Sequence, residues 1–215
     1  MKTNFINNIL QNTRRPEGFW GRIILRAMNR GHARLAEWGF SHVEWGKKWT
    51  VLDIGCGGGA NIARMLDLCP QGIIHGMDVS EESVAFARRL NRKALDRRCF
   101  ITPGRAEELL YDADTFDMVT AFETIYFWTD PGKAFAEVYR VLKPGGQFMI
   151  CCEAGDPADT RWTRRIEGMV IHPVREIKNM LSQTGFSHIN IYKGDKGQFC
   201  ITAAEDEAAT FRPQL

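Results

Sequence analysis

The chain has 215 residues, 44% of them hydrophobic and 25% charged, with a formal net charge of +2, the proportions of one globular domain with a sizeable buried core. Those figures exclude a disordered chain, no apolar run approaches the roughly 20 residues that cross a bilayer, and Met1 to Asn4 lead into an Asn-rich stretch instead of a signal-peptide core, so the expected compartment is the cytoplasm. Cys56, Cys69, Cys99, Cys151, Cys152 and Cys200 form no Cys-x-x-Cys pair, which suits reduced, buried thiols and predicts no metal site.

Residues 1–48 hold nine Lys or Arg against three acids. Arg22, Arg26 and Arg30 are spaced by four and share a helical face, while Phe19, Trp20, Ile23, Ile24, Leu25, Met28, Leu35, Trp38 and Trp45 supply the apolar side of one or two helices. A strand is predicted over Thr50–Ile54, followed by Gly55, Gly57 and Gly59 at alternate positions. A helix then carries Ile62, Met65 and Leu66 at i, i+3, i+4 spacing and ends before Pro70. After a strand over Ile73–Met77, Ser80 caps a helix whose first turn holds Glu81 and Glu82, the charge sign a helix N-terminus prefers. That stretch continues into a basic run, Arg88, Arg89, Arg92, Lys93, Arg97 and Arg98. Strands follow over Cys99–Pro103 and Phe116–Phe122. Asp130-Pro131 opens a helix with Phe135, Val138 and Leu142 as its stripe and Pro144-Gly145-Gly146 as its stop. A strand over Gln147–Cys152 precedes a helix opened by His172-Pro173, with Val174, Ile177 and Leu181 inward and Gly185 as C-cap. Strands over His188–Tyr192 and Phe199–Ala203 close the chain as a hairpin. Strands alternating with helices imply right-handed crossovers and a mostly parallel sheet.

An apolar strand running into Asp53-Ile54-Gly55-Cys56-Gly57-Gly58-Gly59 and then a helix is a nucleotide-cradling turn, because glycines admit a ligand against bare backbone at the carboxyl end of a strand. Gly55 to Ala60 also satisfy the dinucleotide pattern G-x-G-x-x-G/A, so several nucleotide folds stay open at this point. The wider constellation resembles the class I S-adenosylmethionine-dependent methyltransferases over roughly residues 48 to 203, in their small-molecule type. Asp53 to Gly59 match that family's first motif, and His75-Gly76-Met77-Asp78-Val79-Ser80 its second, an acid ending the second strand. Pro103-Gly104-Arg105-Ala106-Glu107 resembles its adenine turn, Thr115 to Val119 its fourth strand, and Leu142-Lys143-Pro144-Gly145-Gly146 its step into strand five.

The resemblance implies a three-layer Rossmann-like α/β fold, a seven-stranded sheet of order 3-2-1-4-5-7-6 with strand 7 antiparallel, over residues 49–215, with residues 1–48 as a helical lid. It implies S-adenosylmethionine as cofactor and S-adenosylhomocysteine as product, held by Asp53, Gly55, Cys56, Gly57, Asn61, Asp78, Val79, Ala106, Glu107 and Phe122. Asp78 would accept from the ribose hydroxyls, Asp53 would brace the glycine turn or meet the cofactor's ammonium, and Ala106 would leave room for adenine beside Glu107. Glu123 and Tyr126, just after strand four, become the catalytic candidates; Trp20, His32, Trp38, Trp128 and Trp162 become acceptor-site candidates. The expected partner is a small-molecule methyl acceptor, with no membrane, no metal, and a monomeric or homodimeric assembly.

The other classes each have a feature to answer for. The basic N-terminal face is what an RNA methyltransferase would use, but the balance across the whole chain is not strongly basic. The Asn/Asp-Pro-Pro-Tyr variant that marks methylation of base nitrogens is absent. Tyr139-Arg140-Val141-Leu142-Lys143 spells the Tyr-x-x-x-Lys pair of a nicotinamide oxidoreductase, yet Lys143 precedes a Pro-Gly-Gly stop and no serine lies in the dozen or so residues before it. A cofactor-binding protein without catalysis would keep the turn and lack an acceptor pocket.

Overall fold

A computed structural model of the chain describes Leu25, residues 29–195 and residues 197–205. Seven strands, β1 (Thr50–Ile54), β2 (Ile73–Asp78), β3 (Cys99–Pro103), β4 (Phe116–Phe122), β5 (Leu142–Cys152), β6 (Ser187–Lys193) and β7 (Phe199–Ala204), form one sheet in the order β3-β2-β1-β4-β5-β7-β6. Neighbours from β3 to β5 pair in parallel, and β7 runs antiparallel to both β5 and β6. The expected strand order and the reversed seventh strand are both present.

Strand residues alternate between two faces, so one strand feeds two cores. Leu52 and Ile54 of β1 join one buried cluster, and Val51 joins the other. The first is covered by helices α4 (Pro131–Val141) and α6 (Val174–Thr184), through Phe135, Val138, Ile177 and Leu181. The second is covered by α1 (Ala33–Phe40), α2 (Ala60–Leu68) and α3 (Glu81–Leu90), through Leu35, Phe40, Ile62, Met65, Val84 and Ala87. One short helix, α5 (Thr160–Thr163), lies in the segment between β5 and α6.

Capping chemistry sets the helix starts. The Ser80 hydroxyl accepts from the Ser83 N–H at 3.2 Å, and Asp130 Oδ1 accepts from the Lys133 N–H at 3.0 Å with Pro131 at the first helical position. Gly185, at φ +112°, terminates α6. The Pro144-Gly145-Gly146 stop is displaced from its expected role. The fourth helix ends at Val141, and Leu142 at once turns extended and pairs with Phe116, so β5 begins five residues before the expected Gln147. The ladder slips between Phe116 and Met118, next to the proline and two glycines, which therefore sit inside a strand.

Several sequence features resolve into structure here. Lys143 lies in β5 with its Nζ 2.8 Å from Asp117 Oδ2, and the Tyr139 ring meets Phe186 edge-on, so the Tyr-x-x-x-Lys spacing forms no catalytic pair. In the basic run, Arg88 donates to the Ile101 carbonyl at 3.0 Å and Arg98 to the Cys69 carbonyl at 3.1 Å, uses internal to the fold. All six cysteines are buried and unpaired as disulfides. No helix among the described residues is long and apolar enough to cross a membrane.

Candidate active site

At the carboxyl ends of the parallel strands lies a cavity of about 370 Å³, within the roughly 300–1,000 Å³ typical of small-molecule sites. Its floor is the turn after β1. The N–H groups of Gly55 and Cys56 both donate to the Met77 carbonyl, at 2.8 and 2.9 Å, which pins the turn to the end of β2. A Cβ on Gly55 would stand 2.2 Å from Thr124 Oγ1, whereas one on Gly57, at φ +51°, would meet nothing within 4 Å. Gly57 thus offers bare backbone to the cavity in a conformation that side-chain-bearing residues rarely adopt. Asp78, at the tip of β2, ties two loops together: Oδ2 accepts from the Gly57 N–H and Oδ1 from the Ser80 N–H, both at 2.9 Å. Each oxygen keeps a further lone pair for a ligand donor. Burial holds the Asp78 carboxyl above its usual pKa, opposed by those two backbone donors.

The opposite wall begins where β4 ends. Glu123 takes the left-handed backbone region at φ +57°, an uncommon state for a residue with a side chain, and its N–H donates to the Cys151 carbonyl at 2.9 Å. Its Oε1 accepts a very short hydrogen bond from the Glu153 N–H and lies 3.3 Å from the Tyr126 hydroxyl. That hydroxyl accepts from the Ala154 N–H at 2.9 Å and sits 3.1 Å from the Ala154 carbonyl. Burial pushes the Glu123 pKa up to about 8; the Glu153 N–H and Tyr126 oppose the shift, and the Glu153 charge adds to it. Burial also raises the Tyr126 phenol well above its ordinary value, so it remains a proton donor. His32 is lowered by burial, with the nearby Glu153 charge opposing. Ligating atoms of His32, Glu123 and Glu153 lie within 4.8 Å of one another.

Residues 52–150 match the profile of a family described as a methyltransferase domain. Together with the sheet order, this match makes the chain similar to the class I S-adenosylmethionine-dependent methyltransferases. A demethylmenaquinone methyltransferase of Symbiobacterium thermophilum is 36% identical over 110 residues, 50% of this chain and 43% of that protein. The chain spans about half the length of the curated relatives it matches. Among solved structures, a chain from the complex of the Haloferax volcanii Trm112 methyltransferase activator with a methyltransferase superposes at TM-score 0.74 and 19% identity, covering 85% of this chain and 93% of that one. A SAM-dependent methyltransferase from Aquifex aeolicus superposes at 0.70 and 19% identity, covering 84% and 96%. These two likenesses concern the fold.

The cavity gathers most of the residues that the sequence pointed to. Gly55, Cys56, Gly57, Asn61, Asp78, Val79, Ala106, Glu107 and Phe122 all line it, as do Glu123, Tyr126, His32, Trp128 and Trp162. Glu107 has one oxygen occupied by the Thr129 N–H at 2.7 Å. Asp53 does not line the cavity: it is 1% exposed, its Oδ1 accepts from the Thr120 hydroxyl at 2.7 Å, and its Oδ2 is buried without a partner among the described residues, so of the two expected roles its position suits the bracing one. Burial raises its pKa to about 7, the Thr120 hydrogen bond opposing and the Asp78 charge adding. Trp38 is a correction: it does not line the cavity, because α1 buries Leu35, Ala36, Gly39 and Phe40, which turns Trp38 to the flank, where it meets His42 edge-on. Trp20 lies outside the described residues. Leu25, Asn29 and Ala36 line the cavity without a sequence signal for a site, as do Thr124 from the stretch after β4 and Glu153, Ile166 and Met169 from the segment 153–171, a second candidate substrate loop. Glu153 did carry a signal, an acid directly after the strand Gln147–Cys152, at the sheet end where α/β folds bind ligands.

Proposed function

We propose that this protein transfers a methyl group from S-adenosylmethionine to a small-molecule acceptor, with Glu123 as the proton acceptor. The observation that carries the reading is the Glu123 carboxylate, fixed by two donors on the wall of a cavity whose other wall is the glycine turn. S-adenosylmethionine, when bound, supplies an electrophilic sulfonium methyl group. Asp78 would hold the ribose hydroxyls, Gly55 to Gly57 the methionine side, and Ala106 with Glu107 the adenine. Glu123, with a pKa of about 8, is matched to receive a proton near neutral pH. Tyr126 is its positioning residue, holding the carboxylate from one side while its own oxygen is anchored by Ala154.

A small acceptor is supported by the size of the cavity and its rings, and by relatives whose name is demethylmenaquinone methyltransferase. The segment 1–48 serves as a lid in this reading, since Leu25, Asn29, His32 and Ala36 contribute to the cavity wall. Single-turnover transfer tests the assignment. Glu123→Gln is expected to lower kcat by about 10²–10⁴ while S-adenosylhomocysteine affinity is kept; loss of affinity with unchanged turnover would make Glu123 a cofactor contact instead.

A further inference from the structure

We infer that the methyl acceptor is an amine, seated as its ammonium ion among Glu123, Glu153 and His32; this rests on the methyl-transfer reading above. Among the described residues the cavity wall carries four acids, Asp78, Glu107, Glu123 and Glu153, against one guanidinium, Arg105. Asp78 and Glu107 are engaged by backbone N–H groups, and Arg105 reaches Glu107 and Thr129. Glu123, held by the Glu153 N–H and the Tyr126 hydroxyl, lies beside Glu153, and no Lys or Arg among the described residues forms an ion pair with either. Two carboxylates this close repel unless a cation or a proton comes between them.

The spacing admits an ammonium ion. A centre shared by three atoms no more than 4.8 Å apart lies no more than about 2.8 Å from each, within reach of charge-assisted N–H···O bonds. An ammonium nitrogen has three N–H donors for these three acceptors, two carboxylates and a neutral imidazole. The rings of Phe127, Trp128 and Trp162 line the same cavity and suit a cation carried on an apolar body. A carboxylate or phosphate acceptor would face two like charges, and a neutral alcohol would leave them unpaired.

The reaction then balances on these residues. The ammonium gives one proton to the Glu123 carboxylate, and the freed nitrogen lone pair forms the N–C bond as the C–S bond breaks, its electron pair staying on sulfur. Positive charge returns to nitrogen as a methylammonium, still paired with Glu153, and Glu123 later releases its proton to solvent.

The test is calorimetric titration of the full chain, saturated with S-adenosylhomocysteine, against phenethylamine, butylamine, 2-phenylethanol and phenylacetate. Binding of one or both amines, with at least tenfold weaker binding of the alcohol and acid, is the expected result. Glu153→Gln, at a solvent-exposed position, should weaken the amine at least tenfold and leave S-adenosylhomocysteine affinity and the melting temperature unchanged. The inference is overturned if no amine binds, if the alcohol or acid binds as well, or if the variant loses S-adenosylhomocysteine affinity instead. It is also overturned if zinc chloride binds in one equivalent at this cluster and excludes the amine. Failure of S-adenosylhomocysteine itself to bind would strike the underlying methyl-transfer reading, so the two failures are distinguishable.

Discussion

Asp78 and Glu123 are both acids raised by burial, yet they are built for different work. Asp78 spends one lone pair per oxygen on Gly57 and Ser80, so it is at once the clasp between two loops and an acceptor still open toward the cavity. Asp78→Ala should therefore cost on the order of 2–4 kcal/mol in S-adenosylhomocysteine affinity, through the loss of charge-assisted bonds. Wild-type affinity by calorimetry would remove the ribose assignment. For Glu123 the sign follows from protonation. A carboxyl whose folded pKa of about 8 stands above its ordinary 4.5 holds more protons folded than unfolded between those values, so stability falls as pH rises through that window. Asp53, raised to about 7, pulls the same way. Thermal melting from pH 5 to pH 9 should show a shallower decline for Glu123→Gln than for the wild-type chain, and equal slopes would deny the raised pKa. Activity runs opposite: turnover of the wild-type chain should rise with pH to a plateau above about 8, while the Gln variant stays flat and low.

At the level of elements, the short helix Ala33–Phe40 shows how close approach positions one wall of the cavity. Gly39 faces β5 so tightly that a Cβ would stand 2.9 Å from Cys151 Sγ and 3.1 Å from the Phe122 ring. Neither neighbour has room to yield, since Cys151 is fully buried and Phe122 is 8% exposed. Gly39→Val should cost about 1–3 kcal/mol by overpacking, more than the few tenths that valine gains over glycine in helix propensity. Chemical denaturation reads this directly, and an unchanged midpoint would mean that the helix is not seated on β5. The strands were legible because each buried run is apolar, short and bounded by turn residues, and the caps because Ser80 and Asp130 act within three residues of themselves. The early start of β5 was not legible. Its pairing partner Phe116 is distant in sequence, and a Pro-Gly-Gly run signals a stop unless that partner is known. Trp38 was misplaced for a related reason, since which flank of a short helix is buried depends on the sheet beneath it. Glu153, His32 and Glu123 come from three separated segments, and only the closed fold brings them to one wall.

For the whole molecule, the decisive quantity is which nucleotide the folded state holds. A ligand that binds only the folded chain raises its stability by RT ln(1 + [L]/Kd), about 2.7 kcal/mol at a hundredfold excess over Kd. For a chain of 215 residues, each kcal/mol moves the melting temperature by roughly 2–4 °C, so saturating S-adenosylhomocysteine should raise it by about 5–10 °C. NADH should leave it unmoved, because the Tyr139 and Lys143 pair that a nicotinamide enzyme would need is committed to Phe186 and Asp117. The glycine turn by itself does not choose between these nucleotides. The choice rests on the rest of the cavity: Asp78 at one end, and at the other the Glu123 and Glu153 carboxyls, with which no Lys or Arg among the described residues forms an ion pair. A shift with NADH in place of S-adenosylhomocysteine would leave the sheet order standing and overturn the chemistry, since the same parallel sheet and glycine turn serve both cofactors.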